Sequence, residues 1–130
     1  MSKRQITDLA ADGFVIGGHG RSHLPLQRMT AEEQEREIVE SCAVVRDITG
    51  RKRVPFAFPY GGGGIDRGFL ADVMSRHEFI ELFFDTQGLR ESPWFVVNRT
   101  WADFPDLRDH VGSNLPRLMT REWLRQVVAV

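Results

Sequence analysis

One cysteine, Cys42, stands in this 130-residue chain. That excludes an intrachain disulfide and any zinc site built from several cysteines. Long apolar runs are absent too; none approaches the ~20 residues that a membrane-spanning helix needs. Neither sign of charge dominates. Seventeen Lys and Arg oppose 18 Asp and Glu, for a net charge of −1, so no broad electrostatic case exists for nucleic acid or an anionic membrane. The one basic cluster, Arg51-Lys52-Arg53, falls between an expected helix and an expected strand and reads as a solvated loop. Met1-Ser2-Lys3-Arg4-Gln5 leads into a helical pattern and not a signal peptide. No internal repeat or linker divides the chain. What is there, 42% hydrophobic and 27% charged residues, suits a globular domain with one modest core.

The elements follow from periodicity and punctuation. Residues from about 3 to 12 read as a short helix with Ile6, Leu9 and Ala10 on one face and Gly13 as its stop. Phe14 to Gly17 reads as a short buried strand. Thr30-Ala31-Glu32-Glu33 is a capping box, and Ile38, Cys42, Val45 and Ile48 recur at helical spacing until Gly50 ends the helix. Cys42 on that face reads as a small buried hydrophobe. Val54 to Phe58 is the next strand, and a helix from about Asp66, as its cap, to Arg76 buries Phe69, Leu70 and Val73. Phe79 to Phe84 and Trp94 to Asn98 are further strands. Residues 105–116 read as irregular and part helical, and Thr120 caps a last helix. Strands alternating with helices indicate an α/β fold with a mainly parallel sheet, whose chemistry lies on the loops after the strands.

Two loops sit at those positions. The first is Gly17-Gly18-His19-Gly20-Arg21-Ser22-His23, with two imidazoles four residues apart. Imidazole is the commonest metal ligand near neutral pH, and two on one turn can share one zinc-like ion. Two histidines in a loop are also commonly surface residues. The second loop is Pro59-Tyr60-Gly61-Gly62-Gly63-Gly64. No Gly-Lys-Ser/Thr follows it, so it reads as a substrate loop before a phosphate cradle.

Gly13 to His23, a long amphipathic helix ending in Ile48-Thr49-Gly50, and then Phe56-Ala57-Phe58-Pro59-Tyr60-Gly61 resemble the polysaccharide deacetylases, or NodB-homology domains. The likeness spans about residues 5 to 90. It implies a partial, distorted (β/α) barrel and metal-dependent removal of acetyl groups from a polysaccharide or oligosaccharide. It also implies a divalent metal, zinc in most members, on His19 and His23. Pro59, Tyr60 and Gly61 would line the acetyl site, with the Tyr60 backbone N–H stabilising the oxyanion. The implied partner is an acetylated glycan.

Three departures stand beside the resemblance. The family's opening Thr-Phe-Asp-Asp-Gly motif, source of the general base and third metal ligand, is absent, and the chain holds no Asp-Asp pair. It reads as a single domain, 1–130, lacking its first βα portion. The arginine common three residues before the tyrosine is Ala57, as in a subset of the family. The Leu-x-His motif of the general acid has no match: His110 lacks its context, and His77 reads as a surface residue. Asp85, at a strand end, is either a carboxylate approaching the site or a turn residue. Trp94 and Trp101 stack on sugar rings or pack at the rim, and Asn98-Arg99 faces the site or forms a surface ion pair. The two functions that follow are a deacetylase and a remnant that binds metal or glycan without turnover. A partial barrel leaves strand edges uncovered, so the chain is expected to be marginally stable alone or to self-associate.

Overall fold

The computed structural model describes residues 1–88 and 90–99. Helix α1 (Lys3–Ala11) opens with a capping box between Ser2 and Gln5 and has no fully buried residue. Helix α2 (Ala31–Thr49) starts at the Thr30–Glu33 capping box and stops at Gly50, whose φ of 70° is left-handed. Strand β1 (Val54–Ala57), helix α3 (Arg67–Arg76), strand β2 (Ile80–Asp85) and strand β3 (Val96–Asn98) complete the order, with a 3-10 turn at Leu26–Arg28 ahead of α2. Asp66 caps α3 by accepting from the Gly68 amide at 2.8 Å.

The sheet is parallel in the order β1-β2-β3. Its register slips between Val54 and Phe56, so that Val54 faces Ile80 while Phe56 faces Phe83. The slip lies at Pro55, which has no N–H to give the ladder. It lets Ile80 and Phe83, three residues apart, both reach the core. Phe56, Phe58 and Phe83 form the centre of that core, with ring centroids 5.3 to 6.0 Å apart. Ile38 and Cys42 of α2 and Leu70 and Val73 of α3 are buried in the same cluster.

Two expectations change here. The fold is mixed α/β with parallel strands, but the three-stranded sheet is open, and no barrel closes among the described residues. The segment Phe14–Gly17 is no buried strand. Phe14 and Val15 are 59% and 62% exposed, and the segment reaches the sheet through one parallel bridge, Gly18 to Phe56. At the margin of the described sheet nothing covers these side chains, so apolar character does not produce burial.

That bridge is tight. The Gly18 amide donates to Pro55 O and its carbonyl accepts from the Ala57 amide, both at 2.9 Å. A Cβ on Gly18 would lie 2.7 Å from Cys42 Sγ, 2.8 Å from Ser41 Oγ and 3.1 Å from the Cys42 backbone nitrogen. Gly18→Ala is therefore expected to lower unfolding stability by about 1–3 kcal/mol, the usual cost of overpacking, as read by urea denaturation. Cys42 is buried on the far side of the same contact, and burial pushes its thiol up to about 12 against a smaller opposing effect of Gly18 and Ser41. The native thiol should stay unmodified by a disulfide reagent at pH 8 and react once urea unfolds the chain.

Candidate active site

The histidine loop is held from both sides. His19 follows the Gly18 bridge directly, and its Nδ1 lies 2.8 Å from Ala57 O. A carbonyl only accepts, so Nδ1 carries the proton, and Nε2 of the neutral ring keeps its lone pair. Downstream, one oxygen of Glu37 on α2 accepts from the Arg21 amide at 2.6 Å and the Ser22 amide at 2.8 Å. Burial raises the Glu37 carboxyl; the Ser22 and Arg21 amides, the Ser22 hydroxyl and the Arg21 charge together outweigh it, so its pKa lies below the ordinary value. Arg21 also reaches Glu40 at 2.6 Å, an exposed pair of small worth. His23 then adopts a φ of 56°, and the loop is anchored beyond it by the fully buried Leu26.

The second loop leaves β1 through buried Pro59 and turns at Tyr60, whose φ of 59° is left-handed, and Gly61, at 107°. Tyr60 projects outward, 72% exposed. The imidazoles of His19 and His23 lie edge to face with centroids 4.9 Å apart, and the His23 and Tyr60 rings follow at 5.3 Å. The structure thus brings His19, His23, Pro59, Tyr60 and Gly61 together. The imidazole pair suits a divalent metal as two of its donors. No group of three or more His, Cys, Asp or Glu is gathered for a metal among the described residues, so the described donor set is half of a tetrahedral shell.

A family model, polysaccharide deacetylase, matches residues 1–79. The chain belongs to the polysaccharide deacetylase family. Comparison with curated proteins and with solved structures gives no match.

Within this member of the family, the remaining candidates fall as follows. Asp85 is neither a surface turn residue nor a free base. It is fully buried; one oxygen accepts from the Gly62 and Thr86 amides at 2.7 and 2.6 Å, the other from Arg67 Nη2 at 2.6 Å. Sequence reasoning missed Arg67, eighteen residues earlier on α3, because no local pattern links the two. His77 is half-buried, not superficial, with Nε2 2.9 Å from Glu35, which Arg76 also meets. The His77 bond, opposed by burial and helped by Arg76, holds the Glu35 carboxyl below its ordinary pKa. Asn98 spends its amide on Arg90 O and Ser92 Oγ. Trp94 is 83% exposed, edge-on to Phe95. Trp101, His110, the 105–116 region and the Thr120 helix lie outside the described residues.

Because the folded pKa of Glu37 is lowered, its contribution to stability is present above the ordinary carboxylate value, about 4.3, and is lost as pH falls through the folded value. Glu37→Gln should melt earlier than the parent at pH 7, and the gap should close as pH falls below the ordinary carboxylate range. Thermal melts of both proteins across that range measure it.

Proposed function

We propose that this chain is a carbohydrate deacetylase domain that hydrolyses acetyl groups of a polysaccharide or oligosaccharide with a divalent metal, zinc in most of the family, on His19 and His23. The observation that carries the reading is the run of His19, His23 and Tyr60, side by side on the two loops. A divalent ion held by the two imidazoles would polarise the acetyl carbonyl and acidify water there. The chain's own residues do the rest. Ala57 O holds the proton on His19 Nδ1, which fixes the ring's orientation and leaves Nε2 its lone pair for a metal. The Tyr60 backbone N–H takes the developing oxyanion, and Pro59 and Gly61 belong to the same loop beside the acetyl group. No described acid joins the two histidines as a third metal-ligating group, and the Asp-Asp pair that supplies the family's general base does not occur in the sequence.

That last point favours a second reading, in which the loops bind metal or glycan without turnover. Lack of a general base lowers turnover by roughly two to four orders of magnitude. Acetate release from acetylated chito-oligosaccharide and acetylated xylan, with zinc or cobalt added, separates the two. Metal-dependent release that disappears in His19→Ala is the expected result. Zinc binding that depends on His19, without any release, would replace the deacetylase reading by the binding one.

A further inference from the structure

The peptide unit joining Gly61 to Gly62 is gripped at both ends. Its carbonyl accepts from Gln27 Nε2 at 2.6 Å, and its N–H donates to Asp85 Oδ1 at 2.7 Å. A trans peptide is planar, with its C=O and N–H pointing in opposite directions, so two fixed partners on opposite sides set the plane's orientation. Both partners stand on defined elements. Gln27 rides on the 3-10 turn next to fully buried Leu26. Asp85 is held by Arg67 and the Thr86 amide. Gly62 has no slack either: a Cβ there would meet the Phe58 ring at 2.6 Å and Asp85 Oδ2 at 2.9 Å.

We propose that Gln27 is a positioning residue that, together with Asp85, clamps the Gly61–Gly62 peptide and thereby sets where Tyr60 stands against His23. Gln27 belongs to the histidine loop, and its bond to Gly61 ties that loop to the tyrosine loop by a side chain. Tyr60 lies one residue before the clamped unit in a left-handed conformation, which a non-glycine residue keeps only when its surroundings impose it. Releasing the Gly61 carbonyl frees the unit to rotate and Tyr60 to relax. The assignment rests on the deacetylase reading only for its catalytic consequence; the clamp itself is structural.

Gln27→Glu tests it with little change of shape. An ionised carboxylate cannot donate to the Gly61 carbonyl, whereas a protonated one can. Amide exchange followed by NMR on the full chain should show Gly62 losing protection by roughly tenfold or more at pH 7, with the α2 amides unchanged. The Gly62 protection should return toward the parent's as pH falls below about 4, where the carboxyl gains its proton. Gln27→Met, equal in length and without a donor, should lose the same protection at both pH values. Where the parent releases acetate, kcat should fall roughly tenfold or more in both variants at pH 7 with KM little changed, as for a misplaced reacting geometry. Equal Gly62 exchange in parent and variants, or a loss in Gln27→Glu that is the same at pH 4 and pH 7, would overturn the clamp. A parent that releases no acetate would sink the deacetylase reading and leave the exchange result to decide the clamp alone.

Discussion

The close approach of the Gly18 backbone to α2 is the constraint on which the site depends. Gly18 trades two hydrogen bonds with β1 while its α-carbon lies against Ser41 and Cys42. Only a residue without a side chain satisfies both contacts. Once Gly18 is seated, His19 is one peptide from a fixed point, and its Nδ1 falls beside the carbonyl of Ala57, the residue that closes β1. The strand that receives Gly18 is the one that leads through Phe58 and Pro59 to Tyr60. Both loops are therefore anchored on one strand, the histidine loop through the Gly18 bridge and the tyrosine loop through the chain itself. Glu37 continues the logic from α2, taking the Arg21 and Ser22 amides as the loop leaves the sheet.

Asp85 and Arg67 form the second fixed point, and it is of a different kind. Burying a carboxylate is costly, and a buried ion pair seldom gives net stability over apolar residues of similar size. What it gives here is direction. The three donors to Asp85 come from Gly62, Thr86 and α3, and an apolar side chain would hold none of them in place. Removing one partner of such a pair typically costs about 3–5 kcal/mol, since the other charge is left uncompensated. Arg67 Nη1 is buried with no partner among the described residues, so its desolvation adds to the cost of the arrangement. The loop's orientation is thus maintained at some expense in stability, as expected where position and not burial is the useful product.

Much of the scaffold was legible because its signals are local. The Thr30 capping box, the Gly50 stop, the Asp66 cap and the apolar face of Ile38 and Cys42 each act within one or two turns, and each element forms where they place it. The Ser2–Gln5 capping box was equally available as Ser-x-x-Gln and sharpens the start of α1. The paired loops were legible as motifs, because the His-x-x-x-His spacing and the Pro59-Tyr60-Gly61 run are local in the sequence, even though no strand precedes the histidines. What escaped were relations across distance in the chain. Burial of Asp85 depends on Arg67, half-burial of His77 depends on Glu35 forty-two residues away, and the fate of Phe14 and Val15 depends on what lies beyond the edge of the sheet. A buried strand and an exposed edge share one local pattern.

The described carboxylates near the loops are committed to structural bonds. Asp85 has both oxygens occupied in the core. Asp66 is bound to the first turn of α3, and Glu40 to Arg21. Glu37 takes two backbone amides of the histidine loop, which lower its pKa, and a carboxylate stabilised in its charged form is a poorer proton acceptor. The bonds that let it order the loop are the same ones that stabilise its charged form. Placement and proton transfer ask opposite things of an acid: one needs its lone pairs committed, the other needs them free beside the reacting water. In this chain the described acids next to the histidine loop serve placement: Glu37 holds the Arg21 and Ser22 amides and Glu40 the Arg21 side chain.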